Sequence, residues 1–271
     1  MDPNPSITSP KNPLVRRFQD AARGAPPEVM LAEGIKLVSE ALEAKVPVEE
    51  AVVGSRLLGS ELGRNVRRRL EREAGRIHEV SDSVLERISG VKTPQGVLAI
   101  LRRPAYQRDD LLARGAAPLV VVAAGVKDPG NLGALVRVAE AAGASGLLAL
   151  QGGADPYRDK ALRGSAGSVF RLPTLGEQRV EDVVALAKQH RLQIVVAEAQ
   201  AAAGREVVAY WDVDWRKPTL LVLGNEGEGV PEALAAAAGV HTRIDMAPPV
   251  ESLNVAVAAG VLLFAARRQR A

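Results

Sequence analysis

Cysteine is absent from the 271-residue chain, which excludes disulfides, thiolate metal sites and every reaction that needs a cysteine nucleophile. Histidine is scarce: His78, His190 and His241 lie far apart, in no short metal-binding spacing. A multi-histidine zinc site or a Ser-His-Asp triad is therefore not expected, and no metal is. Aromatic residues make up 3% of the chain, too few for base stacking on an aromatic sheet to dominate nucleic-acid recognition. No apolar run approaches the roughly 20 residues of a membrane span, and the longer ones, such as 118–125, are strand-sized. Residues 1–13 carry prolines and polar side chains where an export signal would be apolar, so a cytoplasmic location and no membrane partner are expected.

What is present describes an ordinary globular protein of about two domains: 47% hydrophobic, 25% charged, with a mean hydropathy of +0.01. The net charge of +3 resides in residues 1–117, because residues 118–271 balance 16 basic against 16 acidic side chains. Much of the basic excess clusters at Arg64, Arg67, Arg68, Arg69 and Arg72. At helical spacing several of these share a face, either as a solvated surface laced with Glu71 and Glu73 or as a footprint for nucleic-acid phosphates.

The first part alternates helix and strand signals: a helix over 31–44, a strand over 48–53, a helix over about 61–73, strands at 77–80 and 96–101, and a short helix at 83–89. Residues 102–117, with Pro104 and Gly115 among charges, read as a linker. Beyond it, strands are expected at 119–124, 147–150, 193–197, 219–223 and 242–245. Helices are expected at about 131–142, 181–190, 231–238 and 253–266. This alternation indicates a mostly parallel sheet covered by helices, which binds ligands at the carboxyl ends of its strands.

Three loops at such ends carry unusual residues. After Ala124 the chain reads Gly125-Val-Lys-Asp-Pro-Gly-Asn-Leu-Gly-Ala-Leu-Val-Arg137, which is neither a dinucleotide fingerprint nor a Walker loop. Arg137 is either functional or a surface arginine paired with Glu140 at i+3. After Leu223 comes Gly-Asn-Glu-Gly-Glu-Gly, whose glycines permit close approach to a ligand and set Glu226 among them. The third loop, Met246-Ala-Pro-Pro-Val-Glu-Ser-Leu-Asn254, leads into an apolar helix, with Ser252 as its expected N-cap and Asn254 in its first turn.

In this order, Asp128-Pro-Gly-Asn-Leu-Gly…Arg137, Leu223-Gly-Asn-Glu-Gly-Glu-Gly and Glu251-Ser-Leu-Asn-Val-Ala-Val resemble the three signature motifs of the SpoU family. Its members are S-adenosylmethionine-dependent RNA ribose 2′-O-methyltransferases. Lys160…Gly164-Ser-Ala-Gly167 lies between them as in relatives, while Leu31-Ala-Glu-Gly-Ile-Lys…Glu40-Ala-Leu and Thr93-Pro-Gln-Gly-Val97 resemble the family's accessory RNA-binding domain. Ile244-Asp-Met246 departs from the pattern, since relatives usually have proline in the middle.

The resemblance implies an α/β fold: a C-terminal, mostly parallel sheet with a deep trefoil knot (118–271), plus a smaller N-terminal α/β accessory domain (1–105), joined by a linker (106–117). It implies S-adenosylmethionine as cofactor, held at Leu223, Gly224, Asn225, Gly229, Ile244, Met246 and Leu253. Asn131, Arg137, Glu226, Ser252 and Asn254 are implied to handle the ribose hydroxyl. RNA is the implied substrate, ribosomal RNA before transfer RNA because an accessory domain is present, and a homodimer through the knotted domain is implied as the assembly. Two rival readings have less support. A non-catalytic RNA-binding module would be expected to have lost part of the five-residue set, and a nucleotide-dependent Rossmann enzyme lacks its phosphate fingerprint.

Overall fold

The computed structural model describes residues 6–113, 115, 117–198, 206–225 and 229–271, and the chain forms two compact units. The first comprises the described residues up to Ala105 together with Tyr157–Phe170; the second comprises Tyr106–Pro156 and Arg171–Ala271.

The first unit runs α1 (Pro13–Ala22), β1 (Val29–Glu33), α2 (Ile35–Glu43), β2 (Val48–Val53), α3 (Glu61–Glu73), β3 (Arg76–Glu79), α4 (Asp82–Ile88) and β4 (Val97–Arg102). Its sheet has the order β1-β4-β2-β3, with β4 antiparallel to both neighbours and β2 parallel to β3. Phe18, Leu31, Val52, Leu85 and Ile100 are among its buried core. The single helix expected over 31–44 is instead strand β1 followed by α2. Gly34 separates them at φ 95°, a backbone that side-chain-bearing residues rarely adopt, and the apolar residues before it pair with β4.

The second unit begins with β5 (Leu119–Ala124), α5 (Pro129–Ala141) and β6 (Gly146–Leu150). The chain then passes to α6 (Asp159–Ser165), which packs on β1 in the first unit. It returns through β7 (Thr174–Gln178), α7 (Val180–Gln189), β8 (Gln193–Ala197), β9 (Val207–Ala209), β10 (Thr219–Gly224), α8 (Glu232–Ala237), β11 (Val240–Arg243) and α9 (Val255–Arg270). The seven strands lie in the order β7-β6-β5-β10-β8-β11-β9, each pair parallel. The interior strands β5 and β6 are buried along their whole length, as expected where helices cover both faces of a parallel sheet.

Two expected boundaries differ. The segment 106–112 is not a free linker: Leu111 is fully buried in the second unit's core, and Arg108 pairs with Asp182 at 3.0 Å. Residues 157–170 belong to the first unit rather than to one continuous C-terminal domain. The composition of 102–117 marked irregular backbone, which is not the same property as separation from a core.

Candidate active site

The parallel register brings the ends of β5 and β10 side by side, Gly224 opposite Ala124. At the first, Gly125 turns the chain at φ 71°, and Asp128 caps α5 by accepting a 2.9 Å hydrogen bond from the Asn131 backbone N–H. An aspartate before Pro129 suits this: the carboxylate satisfies an orphan amide, and proline sits where no amide is needed. At the second, Asn225 donates from Nδ2 to the Gly125 carbonyl at 2.9 Å, stitching the two loops together. Asn225 and Gly229 form an isolated bridge, with Gly229 at φ 69°. A Cβ at Gly224 would lie 2.6 Å from the Gly229 carbonyl carbon and 2.9 Å from the Val230 nitrogen. Only glycine lets the loop close this tightly. The result is a cradle of backbone groups at the strand ends, which fits a cofactor held chiefly by main chain.

The third loop follows β11. Ile244 and Met246 are half-buried, and Asp245, at the position where proline was expected, is exposed and accepts 2.8 Å from Arg243 Nε. Leu253 is half-buried at the approach to α9. The N-cap of α9 is Asn254, not Ser252: its Oδ1 accepts from the Ala256 N–H at 3.0 Å. The helix starts at Val255, three residues beyond Ser252, which is left exposed and too far back to cap it. With its other end, Asn254 Nδ2 donates to Asn131 Oδ1 at 3.1 Å. Two residues 123 positions apart thus share one contact because α9 packs along α5.

Arg137 projects from α5, exposed and without a hydrogen bond or ion pair among the described residues. The surface pairing with Glu140 does not occur. Glu140 instead receives Arg171, Nε to Oε1 at 2.7 Å and Nη2 to Oε2 at 3.1 Å. Neither Arg171 nor Asp128 was expected at the site. Asp128-Pro129 carried a local capping signal, whereas nothing in the sequence linked residue 171 to residue 140. Glu226 lies outside the described residues. The structure therefore brings together Asn131 and Asn254, and Gly224, Asn225 and Gly229, while Arg137 and Ser252 stand exposed.

The arginine cluster of α3 is partly consumed by ion pairs. Arg67 donates to Glu71 at 2.7 Å and to Glu79 at 2.8 Å, and Arg69 donates twice to Glu73, at 3.0 and 3.2 Å. The Arg69–Glu73 hydrogen bonds raise the guanidinium pKa and lower that of the carboxylate. For Arg67 and Arg69 the solvated, glutamate-laced face is what forms.

Comparison with known proteins agrees with this geometry. Residues 118–264 match the SpoU rRNA methylase family, and residues 25–99 match the MRM3-like substrate-binding domain. The chain is similar to the 23S rRNA (guanosine(2553)-2′-O)-methyltransferase RlmP of Bacillus subtilis, with 29% identity over 86% of each chain. It is 31% identical to a 23S rRNA (uridine(2479)-2′-O)-methyltransferase of Streptomyces viridochromogenes, covering 89% of this chain and 83% of that one. Among solved structures, an AdoMet-bound rRNA methyltransferase of Sinorhizobium meliloti superposes with a TM-score of 0.84 at 31% identity, over 97% of both chains.

Proposed function

The chain belongs to the SpoU rRNA methylase family, and from that premise we propose that it methylates a ribose 2′-hydroxyl of ribosomal RNA with S-adenosylmethionine as donor. The observation that carries this reading is the backbone cradle around Gly224, set beside the Asn131–Asn254 pair at the carboxyl ends of the parallel strands. Leu223, Gly224, Asn225, Gly229, Ile244, Met246 and Leu253 would hold the cofactor within the loops that the family ties into a trefoil knot. When bound, S-adenosylmethionine supplies an electrophilic sulfonium methyl.

The difficulty lies in the nucleophile, because a ribose hydroxyl is a weak acid. Asn131 and Asn254, fixed by each other and by the caps of two helices, orient it for in-line attack, and Ser252 and Glu226 complete the contacts. A guanidinium stays protonated near neutral pH, so Arg137 acts as a cation that stabilises the forming alkoxide while the proton leaves to water. The first unit, which carries the match to a substrate-binding domain, contributes RNA affinity and selection without chemistry. A second copy of the chain covers the exposed apolar residues of α9, Val257 (53% exposed) and Phe264 (50%), giving a homodimer. No described helix is long and apolar enough to cross a membrane.

Single-turnover methylation of ribosomal RNA at saturating cofactor tests the assignment. Arg137→Ala should bind cofactor normally and lose at least ~100-fold in rate, the lower range for a charge-stabilising group. Near-normal turnover would remove Arg137 from the reaction, and methylation of transfer RNA alone would overturn the substrate.

A further inference from the structure

Arg137 and Glu140 are the only charged residues on α5, and they stand three apart, where side chains on a helix meet and opposite charges pair. Yet they do not pair. Both carboxylate oxygens of Glu140 are engaged by the fork of Arg171, which arrives from 31 residues further along the chain, just ahead of β7. A two-point arginine–carboxylate contact fixes both position and charge, and outcompetes a solvent-exposed i,i+3 pair.

We propose that Arg171 is a positioning residue for methyl transfer: by neutralising Glu140 it keeps the Arg137 guanidinium free for the ribose hydroxyl. This rests on the role assigned to Arg137 above. Without Arg171, the half-buried Glu140 carboxylate needs another cation, and the nearest on its own helix is Arg137. An arginine held by a carboxylate presents less positive charge to a forming alkoxide, and its fork points away from the substrate. The loss therefore falls on the chemical step, while the cofactor cradle and the RNA surface of the first unit are untouched.

The experiment compares wild type, Arg171→Met, Arg171→Lys, Arg171→Met/Glu140→Gln and Arg137→Ala. It reads single-turnover methylation of ribosomal RNA at saturating RNA and S-adenosylmethionine, with affinities for both and thermal unfolding measured in parallel. Arg171→Met should slow the step by about 10- to 100-fold, with both affinities within about twofold of wild type. Arg171→Lys, which keeps one cationic contact to Glu140, should fall between. Removing the carboxylate in the double variant should return the rate to within about threefold of wild type. Wild-type turnover in Arg171→Met, or a loss that Glu140→Gln does not restore, overturns the proposal. So does a loss confined to RNA affinity, which would make Arg171 a substrate contact. Should Arg171→Met unfold, the Lys variant and the double variant still decide it. If Arg137→Ala itself turns over normally, the role of Arg137 fails first, which separates that failure from one in which only the Arg171 variants are silent.

Discussion

Alanine at Gly224 perturbs the proposed cofactor cradle where the backbone of the loop closes tightly. The added Cβ would sit 2.6 Å from the Gly229 carbonyl carbon, 2.7 Å from its oxygen and 2.9 Å from the Val230 nitrogen, against an ordinary contact distance of 3.4–4 Å. All three are main-chain atoms, so no side chain can rotate away. The 229–230 strand of the loop must retreat by roughly 0.8 Å for the closest contact to reach 3.4 Å. Forcing a methyl group into a packed site costs about 1–3 kcal/mol. If that falls on the bound form of the loop, S-adenosylmethionine affinity drops by about 5- to 150-fold at 1.4 kcal/mol per tenfold. Isothermal titration of the cofactor into the variant measures it. Gly239→Ala is the control, because a Cβ there meets nothing within 4 Å, and its affinity should match wild type. Unchanged cofactor affinity in Gly224→Ala would refute the claim that this close approach builds the site.

Asn254 has two separable jobs. Asn254→Ala should lose about 1 kcal/mol of stability with the helix cap, whereas Asn254→Ser should keep the cap and lose only the bond to Asn131, so that thermal unfolding is unchanged while turnover falls. Leu111→Ala should destabilise the second unit by about 2–5 kcal/mol in denaturant titrations, the cost of emptying a core site, because Leu111 is fully buried in that core. In the homodimer proposed above, Phe264→Glu should shift the protein from dimer to monomer in sedimentation at micromolar concentration, since the proposed α9 interface would then bury a carboxylate.

The sequence by itself determined the parallel sheet and the three loops that matter. The apolar runs at 119–124, 193–197 and 219–223 are strand-length and nearly uniformly buried, as in a parallel sheet covered on both faces, and the glycines after 124 and 223 mark close backbone approach. Those are local properties, written in the spacing of adjacent residues. Tertiary structure decided everything that depends on which distant segments meet. Residues 31–33 read as the start of a helix, whereas in the fold they are the end of β1 and pair with β4. Ser252 read as the cap of α9, but in the fold Asn254 is the cap, and its other end bonds Asn131 on α5, against which α9 packs. The same holds for charge. Glu140 had an arginine within reach on its own helix, but the fold delivered Arg171 in a better geometry and left Arg137 exposed. Local periodicity fixes which face of an element is apolar, but a hydrogen bond spanning 31 or 123 residues exists only once the sheet has set the register between the elements that carry its two ends.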